Sequence, residues 1–117
     1  MKLELGPVII SLLAAGCAGS QLPPARVADT QSSISAAAAV GAEQNPTAAL
    51  HLKMARDQLT EAQGLADRGK DGEAKLVLDR ATADAELAMI ITREAGARSN
   101  VNKARADVDA LQSSPNR

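Results

Sequence analysis

From Pro46 to about Arg68, small and apolar residues recur at Ala48, Leu52, Ala55, Leu59, Ala62 and Ala66. The steps alternate between four and three, which places all six on one face of a helix as a heptad seam. A second seam follows at Ala74, Leu78, Ala81, Ala85, Ala88 and Ala95, with Thr92 interrupting it and Leu87, Ile90 and Ile91 widening the apolar face. The stripe then moves to Ala97, Val101, Ala104, Val108 and Leu111. The change of phase falls at Gly96, where the helix bends, breaks or drifts. Upstream, a thinner stripe of Val27, Ile34, Ala37 and Ala38 marks a helix from Ala25 to about Val40, with Pro24 suited to its first turn.

The punctuation between these segments agrees with their periods. Gly41 ends the first helix, and Asn45-Pro46 opens the second, because the residue before proline is disfavoured in helical geometry while asparagine caps well. Gly69-Lys70-Asp71-Gly72 is a turn, with Gly69 placed to close one helix and Asp71 to cap the next. The third helix is expected from Gly72 to about Leu111. Unbroken, it would measure roughly 60 Å against about 35 Å for the second. Its excess would be exposed unless it finds a partner. The chain reads as all-α: an antiparallel helical hairpin, or a three-helix coiled-coil-like arrangement.

Composition sharpens this picture. The chain has no aromatic residue and 25 alanines in 117 residues. A buried alanine methyl contributes only about 0.8 kcal/mol, so helices must pack closely through small residues rather than around a bulky core. Opposite charges four apart (Lys53–Asp57, Asp71–Lys75, Lys75–Asp79, Arg80–Asp84, Glu94–Arg98, Lys103–Asp107 and Arg105–Asp109) describe solvated helix surfaces. A net charge of −1 supplies no electrostatic reason to expect nucleic acid as a partner.

Residues 1–16 form a different kind of segment. An apolar run from Leu5 to Ala15 ends in Ala14-Ala15-Gly16-Cys17, which reads as an export signal cut between Gly16 and Cys17, with Cys17 receiving lipid. Cys17 is the sole cysteine, so no disulfide framework and no thiolate metal site is expected. Residues 17–24 are expected to form the lipidated cysteine and a flexible tether of small, polar and proline residues, residues 25–112 the alanine-rich helical domain, and residues 113–117 a disordered tail. No later stretch is apolar enough to span a membrane.

Candidate chemistry is sparse. Gly64 to Asp71 copies the spacing of a phosphate-binding loop but ends in Asp71 where a Ser or Thr is needed, and it follows a helix rather than a strand. His51 is the only histidine and reads as an exposed surface residue; it cannot build a zinc site alone. Asp57 with Glu61, and Asp84 with Glu86, read as carboxylates on helix surfaces with nothing to enclose them. No catalytic, cofactor or metal site is expected.

The order of landmarks resembles a known family. The export signal leads to Pro24-Ala25-x-x-Ala28, Gly41-Ala42 and Asn45-Pro46. Next come Leu50-x-x-x-Met54-Ala55-x-x-x-Leu59 and Ala62-x-x-Leu65-Ala66-x-x-Gly69, then Ala74 through Ala81-x-x-x-Ala85-x-x-Ala88. Over roughly residues 24 to 97 this resembles short bacterial lipoproteins grouped as a domain of unknown function, numbered 4398. Gln44 and Asn45 stand where that family often carries an aromatic residue. The resemblance implies a helical-hairpin envelope protein, sometimes found beside peptidoglycan-binding modules, and supplies no catalytic residue. Likeness to bacterial lipoproteins also implies a diacylglyceryl thioether and an N-acyl chain on Cys17. It further implies sorting to the outer membrane, facing the periplasm, since Ala18 and Gly19 follow the cysteine where an aspartate would retain the protein. Covalent attachment to peptidoglycan, as in murein lipoproteins ending in lysine, is disfavoured by the ending Ser114-Pro115-Asn116-Arg117.

The reading is therefore a non-enzymatic, lipid-anchored structural or adaptor protein, held at the membrane by its anchor. Its protein partner is open between a homo-oligomer and another envelope protein. The alternative is a helical-repeat-like module that binds peptides or client proteins.

Overall fold

A computed structural model describes residues 22–115, and they are all-α. Three helices, α1 (Pro24–Ala39), α2 (Pro46–Asp67) and α3 (Asp71–Ser113), are joined by a 3₁₀ turn at Ala42–Gln44 and a tight turn at 68–70. Helix α2 runs antiparallel to α3, and α1 lies along both. Ile34 and Ala37 of α1 share one apolar cluster with Ala48, Leu52, Ala55, Ala85 and Ala88. Leu22, just before α1, joins a second cluster of Ala62, Leu65, Ala74 and Leu78 at the other end. Helix α1 therefore runs parallel to α3.

Four of the six expected α2 seam positions, Ala48, Leu52, Ala55 and Ala62, are buried, and Leu59 is half-buried. The last layer of the seam differs: Leu65 is buried and Ala66 only half-buried, because Leu22 packs against this end and the larger side chain fills the space. On α3 the seam Ala74, Leu78, Ala81, Ala85, Ala88 is buried, whereas Ala95 is exposed. Nine of the fourteen buried apolar residues are alanines, so backbones rather than long side chains set the helix spacing. Thr30, absent from the sequence-derived stripe of α1, is buried too. Its Oγ1 lies 2.8 Å from Thr82 Oγ1, a hydroxyl pair between α1 and α3.

Local chemistry fixes the ends of α2. Asn45 Oδ1 accepts hydrogen bonds from the amides of Thr47 and Ala48 at 3.0 and 3.1 Å, satisfying two of the free donors of the first turn. At the other end Gly69 takes φ 72°, the Gly69 amide donates to the Ala66 carbonyl and the Lys70 amide to the Leu65 carbonyl. This Schellman arrangement reverses the chain and sends α3 back along α2. Lys70, not Asp71, occupies the N-cap of α3, with no side-chain capping bond; Asp71 is the first helical residue, where its charge still favours the positive helix end.

Helix α3 passes through Gly96 without interruption. The shift of stripe there is not a break. From Arg93 to Ser113 every residue is exposed, so about 30 Å of helix projects beyond α1 and α2.

Two stability outcomes test these assignments. Replacing Ala85→Leu inserts three carbons at a seam position with no solvent exposure. The expected loss is about 1–3 kcal/mol or more in urea denaturation, while the same change at exposed Ala106 is near neutral. Gly64→Ala, whose new Cβ would meet only Arg68 Nη1 at 3.5 Å, should raise stability by about 0.5–1 kcal/mol. Gly69→Ala, at positive φ, should lower it, both read from thermal melting.

Candidate functional site: a polar clasp between the second and third helices

Asp84 of α3 flanks the alanine seam, directly before Ala85, and bonds to α2. His51 Nδ1–H donates to Asp84 Oδ1 at 2.8 Å, and Gln58 Nε2 donates to Asp84 Oδ2 at 2.9 Å. His51 and Gln58 are seven residues apart, two turns of one helix, so their side chains reach the same carboxylate from above and below. The His51 and Asp84 side chains retain only 23% and 16% of their exposure. His51 and Asp84 are thus neither free nor fully solvated, contrary to the surface positions expected of both. Arg80, expected to pair with Asp84 along α3, does not reach it; the carboxylate is taken by α2 instead. Gln58 Oε1 is buried with no partner among the described residues.

This clasp joins an imidazole, a carboxylate and an amide, but its hydrogen bonds contain no serine, cysteine or threonine to act as nucleophile. Thr82, on the same helix, bonds to Thr30 and to the Leu78 carbonyl. What the arrangement can do is hold register. A carboxylate bonded to two side chains two turns apart fits one sliding position of α3 against α2, whereas alanine layers would tolerate several.

Elsewhere charge is used for surface contacts. Asp79 pairs with Arg26 of α1 and Glu43 of the 3₁₀ turn with Arg56 at 2.9 Å, tying α1 and its exit turn to the hairpin. Lys53–Asp57 and Glu94–Arg98 form as spaced, at 2.5 and 2.6 Å. Such exposed pairs contribute at most about 1 kcal/mol each. Glu61 and Glu86 are exposed. Among the described residues, no group of three or more His, Cys, Asp or Glu is placed to hold a metal ion, and no helix is long and apolar enough to cross a membrane. Cys17 and Gly16, the expected lipidation and cleavage positions, lie outside the described residues.

The fold therefore defines a small three-helix protein with an alanine-seamed hairpin and a projecting third helix. The family described as a domain of unknown function (DUF4398) matches residues 25–104, and the chain belongs to it. That match spans α1 from its second residue, all of α2 and most of α3. No curated protein and no solved structure matches the chain.

Removing the carboxylate tests the clasp. Asp84→Ala leaves the half-buried His51 and Gln58 donors without their acceptor and should cost about 1–3 kcal/mol in urea denaturation. Asp57→Ala, which breaks only an exposed pair, should cost under about 0.5 kcal/mol.

Proposed function

We propose that this protein is a non-enzymatic, lipid-anchored helical protein of the bacterial envelope, acting by binding as a structural or adaptor element at the outer membrane. The observation that carries the reading is the lone Cys17 directly after Leu13-Ala14-Ala15-Gly16, at the end of the apolar run from Leu5. Such a run closing on small residues and a cysteine is what an exported, lipid-modified chain requires. Stable anchoring needs more than one acyl chain, which a diacylglyceryl thioether with an N-acyl group would supply.

The fold supports a binding role by its polarity. Leu22 packs beside the turn between α2 and α3, so a tether on Cys17 would leave from that end. The free end of α3 lies at the other, about 60 Å along the helix axis from Ala74 to Ser113. An anchor at one end and an uncovered helix at the other suit an element that presents a surface at a distance. His51 and Asp84 support the non-enzymatic part of the reading, since both are engaged in holding α2 to α3.

Cys17→Ser tests the anchor. In cells fed a fatty-acid analogue, the unaltered chain should carry label and fractionate with the outer membrane. The variant should lose the label and accumulate with residues 1–16 still attached. Undiminished label in the variant would refute the anchor.

A further inference from the structure

Helix α3 carries two apolar faces. The buried one holds Ala74, Leu78, Ala81, Ala85 and Ala88. The large apolar residues of α3 that remain exposed are Leu76, Leu87, Ile90, Val101, Val108 and Leu111. With Ala83, Ala97 and Ala104, and with Arg80 and Glu94 as the two interruptions, the six follow steps that alternate between four and three, the a and d positions of one heptad phase. At about 100° per residue this second face lies roughly opposite the first. It does not start at Gly96; it runs back beneath the hairpin, where Leu87 and Ile90 are 39% and 58% exposed.

We propose that this face binds a second copy of the chain, with the two α3 helices antiparallel and Leu87 of each copy against Leu111 of the other. Charge complementarity selects both occupant and direction. In this register Ile90 meets Val108, Glu94 meets Ala104 and Ala97 meets Val101, so each Glu94 faces a methyl group rather than another carboxylate. On one flank Arg93 comes beside Asp107 of the second copy, twice by symmetry, and Asn100 beside its own counterpart, where two amides can bond. On the other flank the two Arg98 side chains approach, each already paired with Glu94 of its own helix at 2.6 Å. A parallel pair would set Glu94 against Glu94 inside the seam and Arg93 beside Arg98, like charges in both cases. A strict seven-residue repeat from Leu76 to Leu111 is also what two helices supercoiling about each other require.

The contact strip from Leu87 to Leu111 is about 36 Å long, and both copies together would bury on the order of 1,000 Å², near the lower limit of specific interfaces. An interface of that size belongs to the reversible class, so the dimer should dissociate on dilution. The proposal is independent of lipid on Cys17, and its test removes that thiol.

Full chain carrying Cys17→Ser is expected to sediment as a dimer that dissociates on dilution. Adding Val101→Asp, on the exposed projection, should weaken the dimer at least tenfold while leaving helical circular dichroism unchanged. Introduced cysteines then read direction. Asn100→Cys should form a disulfide with itself, and Leu87→Cys with Leu111→Cys when the two variants are mixed. A monomer at all concentrations, a dimer that survives Val101→Asp, or a Leu111→Cys chain that crosslinks to itself in parallel register would each overturn the proposal.

Discussion

Close approach of α2 and α3 through alanine is the constraint on which the rest of the fold depends. With methyl groups at Ala48, Ala55, Ala62, Ala74, Ala81, Ala85 and Ala88, the helices meet nearly backbone to backbone, and Leu52 and Leu78 are the only large side chains wholly enclosed between them. Each methyl contributes little, so the stability of the seam comes from many small increments, and its position along the axis is weakly specified. Two features outside the seam compensate. Asp84 fixes the sliding register through His51 and Gln58, and α1 covers the flank with Ile34, Ala37 and the Thr30–Thr82 hydroxyl pair.

The parts of this fold governed by neighbours in sequence were legible in the chain. The seam period, the Asn45 cap and the Gly69 stop each rest on contacts within one or two helical turns, and the structure places them as the spacing implied. What sequence spacing could not supply were partners chosen across helices. Asp84 had a candidate in Arg80 four residues away but bonds to residues 26 and 33 positions distant. Asp79 likewise turns from Lys75 to Arg26. An i,i+4 pair is worth a few tenths of a kcal/mol, and a half-buried position facing another helix readily outweighs it. Leu65 replaced Ala66 in the last layer for a related reason: Leu22, assigned to a tether, packs there and enlarges the site.

The candidate chemistry follows the same division. The carboxylate partner of His51 was not legible on its own helix, because α3 supplies it. A histidine bonded to an aspartate invites a catalytic reading. Here Gln58 holds the other carboxylate oxygen, and the three groups span an interface rather than line a cleft, which makes register the property they serve.

The shape of α3 poses the remaining physical problem. Isolated helices in water are marginal below about 12–15 residues and gain most of their stability in proteins by burying one face. The 21 residues from Arg93 to Ser113 bury none, include Gly96, and among the described residues hold a single ion pair between side chains, Glu94–Arg98. Good helix formers such as Ala97, Ala104, Ala106 and Ala110 favour the conformation, but they do not account for Val101, Val108 and Leu111 in regular register. β-branched valine lowers helix propensity, and apolar side chains facing water contribute nothing to holding it. Their placement in one stripe is what the proposed contact between copies would bury. The same phase continues to Leu87 and Ile90 on the outer surface of the packed region, so whatever covers the projection also reaches the hairpin. That continuity gives the long third helix two apolar sides, one covered by α1 and α2 and the other the side on which the proposed dimer would form.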